Sequence, residues 1–323
     1  MSIRIPIGKF IAKRLVFGVV TLLVVSVLIF VLTNALRGDP ASIILGREAT
    51  PEALKALRHD FGLDQSLPSQ YWNWISGVVR GDLGRSFTTR LPIWDSLSSR
   101  VGASLFLLFV AGVVSIPISI AIGSYAAARR DGRFDSGSGI ALLILAAMPE
   151  FVVGALLVIV FATTLTHLLP ATTYLSPEDP PWANLKGIIL PVATLVIAVT
   201  PYVARVTRAA VIEVLESDYI EMARLKGMPE RTVLWRHALP NALGPVFQVI
   251  ALNLAYLAGG VIVVEWLFNF PGIGTALNDS VRSRDLPVVQ FLALTISGVY
   301  VVTNLVADVC TVLATPRLRT KLT

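Results

Sequence analysis

The chain has 323 residues, of which 54% are hydrophobic and 15% are charged, and its mean hydropathy is +0.72. An ordinary soluble domain carries about 25% charged residues. The composition therefore excludes an ordinary soluble protein and indicates an integral membrane protein. The formal net charge of +6 does not imply a nucleic acid partner, because basic residues at the cytoplasmic edge of a membrane protein face anionic membrane lipid.

Six apolar runs are each long enough to form a transmembrane helix, which takes about 20 residues. They predict an all-α integral membrane protein with spans at residues 15–36, 101–128, 140–167, 188–214, 246–268 and 288–313. The first run is too long for the core of a signal peptide and no clear cleavage site follows it, so we interpret it as an anchored span. Basic residues concentrate in alternate loops, which predicts that both termini are cytoplasmic.

This topology divides the chain into four predicted regions. They are a cytoplasmic N-terminus with the first span (1–36), an extracytoplasmic insertion (37–100), a five-span core (101–314) and a cytoplasmic tail (315–323). Within the core, a cytoplasmic loop at 215–245 joins the fourth and fifth spans.

The insertion after the first span is predicted to be helical. Thr50, Pro51 and Glu52 are typical of a helix start. Aromatic side chains suit the boundary between lipid and water, and the insertion and the residues next to it contain several of them: Tyr71, Trp72, Trp74 and Trp94.

An ionisable residue, Glu150, lies near the middle of the third predicted span and directly follows Pro149, a proline that invites a kink in the helix. A charged group at that depth costs at least about 2.5 to 3.5 kcal/mol if it faces lipid, so Glu150 is expected to face the helix bundle or water. The carboxyl either lines a substrate path, where it can meet an ammonium group, or is protonated and bonded to backbone groups that Pro149 leaves free. Both interpretations stay open at this point.

A charged, helix-forming segment, DYIEMARLKGMPERTVLWRHALPNAL, separates the fourth and fifth spans. Asp218 and Glu221 have the spacing of a capping box, which predicts a helix start. Gly227 is typical of the left-handed residue that ends a helix, and Pro229 of the first residue of the next one. The segment therefore predicts a short amphipathic helix, a sharp bend and a second helix that leads into the fifth span, with its hydrogen bonds interrupted at Pro240.

The sequence lacks motifs that are typical of metal sites, disulfide frameworks or enzyme active sites. His59, His167, His237 and Cys310 have no spacing typical of a metal site or a disulfide framework. Neither a phosphate-binding P-loop nor a nucleophile elbow occurs. We therefore predict that the chain is not an enzyme and holds no metal or cofactor of its own, so that any ATP is handled by another subunit.

The end of the fifth span carries a carboxylate and a tight turn. Glu265 is followed by Pro271, Gly272 and Gly274. These residues form either part of an external gate or a structural turn that needs glycine. The sequence favours the structural role.

Read from Glu221, the charged segment resembles the E-A-A-x3-G-x9-I-x-L-P loop of permease subunits of ATP-binding-cassette (ABC) importers. Met222 replaces the second-position Ala of that loop, and His237 replaces its Ile. The longer pattern, D-Y-I-E-M-A-R-x-K-G followed by R-H-A-L-P-N-A, is similar to the dipeptide, oligopeptide and nickel branch of the family. Within that branch the chain most resembles the first, or B-type, dipeptide and oligopeptide permease.

Three further stretches agree with this branch. FGLDQSLPSQYWNWISGVVRGDLGRSF at 61–87 is similar to its first extracytoplasmic loop, and EWLFNFPGIG at 265–274 resembles its E-x-x-F-x-x-P-G-x-G motif. Asp308 and PRLR at 316–319 resemble its C-terminal ending, although Thr315 stands where an Asp often precedes the Pro.

The resemblance implies a permease subunit of a peptide importer in the bacterial inner membrane. Its implied partners are a second permease, two cytoplasmic ATPase subunits that bind ATP and Mg, and an extracytoplasmic substrate-binding protein. In such permeases the cytoplasmic loop couples the subunit to the ATPase. Carried over to this sequence, the coupling residues are Tyr219, Glu221, Met222, Ala223, Arg224, Leu225, Gly227, Leu239 and Pro240.

Other interpretations are compatible with parts of the sequence. Within the same family the substrate is alternatively nickel, glutathione or an oligosaccharide. Outside the family, an ion-coupled secondary transporter would show internal repeats and several paired intramembrane charges. A membrane protein without transport activity would use the charged segment only as an amphipathic helix on the membrane surface.

Overall fold

The computed structural model describes residues 7–35, 38–46, 49–164 and 167–314. Within these ranges the chain is helical, and the only β-type pairing is an isolated bridge between Arg85 and Pro92. The helices are α1 (Ile7–Ala35), α2 (Pro40–Leu45), α3 (Pro51–Asp60), α4 (Leu67–Arg80), α5 (Ile93–Ala128), α6 (Arg133–Ala147), α7 (Glu150–Val158), α8 (Leu185–Leu215), α9 (Asp218–Leu225), α10 (Glu230–Thr232), α11 (Leu239–Leu267), α12 (Ile273–Arg282) and α13 (Leu286–Ala314).

The helices confirm the prediction of an all-α membrane protein. In the described ranges, five helical segments are long and apolar enough to cross a membrane: Ile11–Ala35, Ile93–Ala128, Pro181–Leu215, Glu230–Leu267 and Leu286–Val306. The bent pair formed by α6 and the helix from Glu150 to Thr163 makes a sixth if the two count as one span. Six spans and cytoplasmic termini therefore remain predictions, and the 316–319 motif lies outside the described residues.

The third predicted span is broken into two helices, a larger departure from a straight helix than the kink expected at Pro149. The chain bends by 105° between α6 and the following helix. Met148 is extended, with φ −90° and ψ 128°, because the ring of the following Pro149 disfavours the helical conformation. Glu150 is therefore the first residue of α7 rather than the middle of a straight helix.

The core lies between α5, α8 and α11, whose buried side chains form one hydrophobic cluster. Gly123 of α5 lies so close to α8 that a Cβ atom there would approach the carbonyl oxygen of Ala204 to 2.4 Å. Arg208 of α8 also binds the buried carboxylate of Asp135, in the first turn of α6, through two nitrogens, at 2.5 and 2.6 Å. This ion pair holds the start of α6 on the core.

The first span packs at the edge of the molecule, against α13 and α4. Arg14 of α1 pairs with Asp308 of α13 at 3.1 Å. Tyr71 and Trp74 of α4 pack on Phe30 of α1, with ring centroids 5.4 and 6.2 Å apart. These two aromatic residues therefore contact the first span.

The insertion is attached to the core at one buried carboxylate. Asp285, which is 3% exposed, accepts hydrogen bonds from the hydroxyl of Ser86 and from the backbone N–H groups of Phe87 and Thr88, the latter two at 3.0 and 3.3 Å. The helix start predicted for the insertion is confirmed, because Thr50 precedes α3 and its hydroxyl accepts the N–H of Ala53 at 3.2 Å.

Candidate functional site

The charged segment forms the predicted helix, bend and second helix. Helix α9 begins at Asp218 as expected, but the residue at its N-cap is Ser217. The predicted capping box is wrong in detail, because the Ser217 hydroxyl makes no cap hydrogen bond and donates instead to the carbonyl oxygen of Val214. The acidic Asp218 and Glu221 still lie in the first turn, where the helix dipole favours negative charge.

The bend depends on Gly227, which has the predicted left-handed conformation at φ +77°. Its N–H donates to the carbonyl oxygen of Arg224 at 2.9 Å, and the N–H of Met228 donates to that of Ala223 at 3.3 Å. These bonds satisfy carbonyl groups at the end of α9. Pro229 differs from its prediction by one residue, since it is the N-cap of α10 and not its first helical residue.

The second helix leads into the fifth span past Pro240, as predicted. The helix runs from Glu230 to Leu267 as one apolar segment, and it accommodates the proline through a wider π-helical turn at Val233–Ala238. The carbonyl oxygen of His237 accepts the side-chain amide of Asn241 at 2.7 Å. The second helix of the pair is thus continuous with the following span.

One face of α9 is locked onto its own chain. Ile220 and Ala223 are buried and pack against Val233 and Ala238. Ala223 was expected on the side that contacts a partner, and the structure corrects this placement, because Ala223 is 6% exposed. Its small side chain lets α9 approach the second helix closely.

The opposite face of α9 is open. Tyr219, Met222 and Leu225 are 47%, 55% and 75% exposed, and the charged Glu221 and Lys226 lie beside them. We call Tyr219, Met222 and Leu225 the apolar face. Further along, Pro240 is exposed and Leu239 is partly buried against the core.

Arg224 ties the two helices together. Its guanidinium donates to both carboxylate oxygens of Glu230, at 2.8 and 3.2 Å, and to the carbonyl oxygen of Leu215 at 3.3 Å. Arg224 therefore fixes the angle between α9 and α10 from within the chain. An adjacent ion pair joins Arg130, after α5, to Glu216, after α8.

Glu150 lies far along the chain from this helix pair, at the start of α7. It is half-buried and lies over Gly260 of α11, where a Cβ atom would come within 3.3 Å of its Oε1. Tyr256 of α11 lies beside the carboxyl. Tyr202 of α8 donates to the carbonyl oxygen of Ala146, just before the bend.

The Glu265 carboxylate is fully buried between α5, α11 and α12. It accepts the hydroxyl of Ser104 and, at 2.6 Å, the N–H of Gly274. Ser104 in turn accepts the N–H of Ile273 at 2.8 Å. A Cβ atom at Gly272 would lie 2.2 Å from the carboxyl carbon. The four residues predicted together, including the buried Pro271, do meet around this carboxylate.

Two matches with known families cover most of the chain. Residues 119–320 match the family described as the binding-protein-dependent transport system inner membrane component, and residues 7–108 match the N-terminal region of such membrane components. The first match alone spans more than half of the chain. The chain belongs to this family. The permease is therefore a multi-pass protein of the plasma membrane and a transport component rather than an enzyme.

Full-length relatives agree with this membership. The permease is 36% identical over 314 residues to a probable peptide ABC transporter permease protein of Sinorhizobium fredii. The aligned residues make up 97% of this chain and 99% of the relative. It is 37% identical over 309 residues to a putative peptide transport system permease protein of Brucella abortus, covering 96% and 98%. It is 39% identical over 313 residues to a glutathione transport system permease protein of Escherichia coli, covering 97% and 99%.

Sequence reasoning missed several residues of these sites. Ile220 anchors α9, and Asp285 anchors the insertion through Ser86, which lies 199 residues away in the sequence. Helical spacing contains a signal for Ile220, because it lies three residues before Ala223 on the same face. No local pattern identifies the partners of Asp285. Among the described residues, no group of three or more His, Cys, Asp or Glu side chains is placed to hold a metal ion.

Proposed function

We propose that this permease forms half of the substrate path of an ATP-driven importer of di- or oligopeptides, and that α9 and α10 form its contact with a cytoplasmic ATPase subunit. The observation that carries the proposal is the two-sided α9: Ile220 and Ala223 are buried in the chain, while the apolar face is open. A second permease, two ATPase subunits that bind ATP and Mg, and an extracytoplasmic binding protein complete the proposed importer.

The geometry of α9 suits a mechanical contact. A partner that covers the apolar face gains apolar burial at about 25 cal/mol per Å². Because Arg224 and the buried residues fix α9 to the second helix, a displacement of α9 moves the span that starts at Leu239. Membership of the family argues against the ion-coupled secondary transporter, and the peptide permeases among the relatives support peptides as cargo.

Loss of the apolar face is expected to release the ATPase. We expect Met222→Asp or Leu225→Asp to reduce the amount of copurified ATPase about tenfold, because about 1.4 kcal/mol of lost binding free energy changes an equilibrium tenfold. The measurement is affinity purification from the native membrane in mild detergent, with mass spectrometry and an ATPase assay in the presence of loaded binding protein.

The matched control is Lys226→Gln, which changes an exposed residue of the same segment outside the apolar face. Undiminished copurification with both aspartate variants would contradict the proposed contact. Peptides that fail to stimulate the ATPase, while reduced glutathione does so, would instead assign the cargo named by the Escherichia coli relative.

Glu150 is the proposed cation-recognition group of the substrate path. Its carboxyl is half-buried beside Tyr256 and makes no hydrogen bond with the backbone among the described residues. A half-exposed carboxyl inside a span avoids lipid by facing the bundle or water. These observations support the substrate-facing interpretation over a carboxyl bonded to backbone groups near Pro149.

We expect Glu150→Gln to reduce uptake of peptides with a free ammonium group about tenfold or more and to leave N-acetylated peptides unaffected, because a hydrogen bond to a charged group contributes about 1.5 to 3 kcal/mol. Gly260→Ala should have a smaller effect of the same kind, since its Cβ lies 3.3 Å from the carboxyl oxygen. Gly259→Ala is the control, because no described atom lies within 4 Å of its Cβ position. Equal uptake of both peptide types by wild type and Glu150→Gln would overturn the assignment.

A further inference from the structure

A cavity of 430 Å³ lies between the insertion and the start of α13, apart from both the α9 surface and Glu150. Its volume falls in the range of small-molecule sites, about 300 to 1,000 Å³. Residues from the end of α1, from α3 and α4, from the loop after α4 and from the first turn of α13 line it. The lining combines aromatic rings, amide side chains and charged groups of both signs.

Two of the lining charges are available for a ligand. Asp82 and Arg85 make no ion pair within the described ranges. By contrast, Asp60 is paired with Arg90 at 2.5 Å, and His59 lies 3.7 Å from Asp64. The cavity therefore offers one carboxylate and one guanidinium, which together complement a ligand that carries one positive and one negative charge.

Backbone hydrogen bonds fix the position of Asp82. Its N–H donates to the carbonyl oxygen of Gly77 at 2.9 Å, across the left-handed Gly81 with φ +83°. The turn is tight, because a Cβ atom at Gly77 would lie 2.9 Å from the Asp82 carbonyl oxygen. Oδ1 of Asp82 accepts the N–H of Gly84 at 3.0 Å, which leaves Oδ2 for a ligand.

The backbone at Arg85 is held in place through both of its chain neighbours. On one side, the carbonyl oxygen of Gly84 accepts the N–H of Ile93 at 3.1 Å. On the other, the hydroxyl of Ser86 donates to the buried Asp285. These bonds fix the backbone from which the exposed Arg85 side chain extends.

The other residues that line the cavity suit a peptide. The rings of Phe61 and Phe87 stack with centroids 3.8 Å apart, and the guanidinium of Arg90 lies over Phe61, 4.5 Å from its centroid. The amide nitrogen of Asn73 donates to Gln65 at 2.9 Å, and that of Gln290 donates to Thr33 at 3.1 Å. Because these amides use their nitrogens as donors, their own carbonyl oxygens are left to accept N–H groups of a ligand.

We propose that this cavity binds a short peptide with free ends, whose ammonium group contacts Asp82 and whose carboxylate contacts Arg85, separately from the binding protein. The inference rests on the proposed function, since the ligand is the peptide cargo of the importer. It adds to the permease a peptide site of its own, before the membrane path.

The test uses the assembled transporter in lipid nanodiscs without binding protein, and equilibrium dialysis of radiolabelled trialanine. We expect saturable binding to wild type, and at least about tenfold weaker binding to Asp82→Asn and to Arg85→Gln, because each loses a charge-assisted hydrogen bond. Glu52→Gln and Lys55→Gln remove the same charges from exposed positions of α3 outside the cavity and should leave binding unchanged.

Peptides with one end blocked test which residue binds each end of the ligand. Trialanine amide should bind wild type and Arg85→Gln equally weakly, and N-acetyl-trialanine should do the same with wild type and Asp82→Asn. Absence of saturable trialanine binding to wild type would overturn the inference. So would variants that bind trialanine normally but dock the binding protein weakly, since the cavity would then receive a side chain of that protein. Peptide uptake by the wild-type importer, reconstituted in sealed vesicles with loaded binding protein, tests the proposed function independently.

Discussion

Gly227→Val is expected to leave the permease in the membrane but to abolish the coupling of peptide transport to ATP hydrolysis. Gly227 has φ +77°, a conformation that costs an ordinary L-residue about 1 to 2 kcal/mol and is a clear outlier for a β-branched one. No described atom lies within 4 Å of a Cβ atom placed there. The cost therefore lies in the backbone, and it is relieved by opening the turn between α9 and α10.

An opened turn displaces the apolar face relative to the second helix. Moving a two-state equilibrium from about 1:99 to about 99:1 takes about 5.5 kcal/mol of differential interaction, and exposed ion pairs supply less than about 1 kcal/mol each. Burial of Met222 and Leu225 in a partner is the larger available contribution. Because this burial needs α9 at a fixed angle, a small change at Gly227 has a large effect on transport.

A graded series separates backbone conformation from side-chain size. Asparagine tolerates the left-handed conformation better than alanine or valine, so coupling should decrease in the order Gly227, Asn, Ala and Val. The control is Gly137→Val in α6, where the glycine is exposed, lacks a positive φ and has no described neighbour within 4 Å. The measurement is peptide-stimulated ATP hydrolysis and uptake in reconstituted vesicles. Normal stimulation in Gly227→Val would rule out the coupling role.

Local chemistry made part of the fold and site predictable. Gly227 and the helix start at Thr50 were identified from residue type alone, because a left-handed turn and an N-cap each depend on the conformation of a few consecutive residues. A kink at Pro149 was expected, because the residue before a proline disfavours the helix, but a bend of 105° was not. The apolar run across 140–167 outweighed that signal.

Contacts between distant parts of the chain were not predictable in the same way. Ala223 was grouped with the apolar residues of α9 that face a partner, whereas the structure buries it against Ala238 of the second helix. Which side of an amphipathic helix faces its own chain depends on how the next helix folds back. The pairing of Asp285 with Ser86 depends on the whole bundle and has no local signature.

The buried turn at the end of the fifth span should control stability and transport together. Glu265→Ala leaves the N–H of Gly274 and the hydroxyl of Ser104 without their carboxylate acceptor, and a buried unsatisfied group costs about 1 to 3 kcal/mol. We expect a lower melting temperature of the purified transporter and a parallel loss of uptake. Glu265→Gln should be intermediate. Its carbonyl oxygen can still accept one of the two hydrogen bonds, but its amide nitrogen is a donor and cannot accept the other.

A double substitution tests the packing around this carboxylate. Gly272→Ala places a Cβ atom 2.2 Å from the Glu265 carboxyl carbon, and the nearest atoms to that Cβ all belong to Glu265. We expect Gly272→Ala to lower the melting temperature strongly in wild type but to add little in the Glu265→Ala background, because the two effects share one contact. Gly259→Ala, in open space on α11, is the control. If instead Glu265→Gln lost uptake at an unchanged melting temperature, Glu265 would act as part of the external gate, and the turn would serve transport directly.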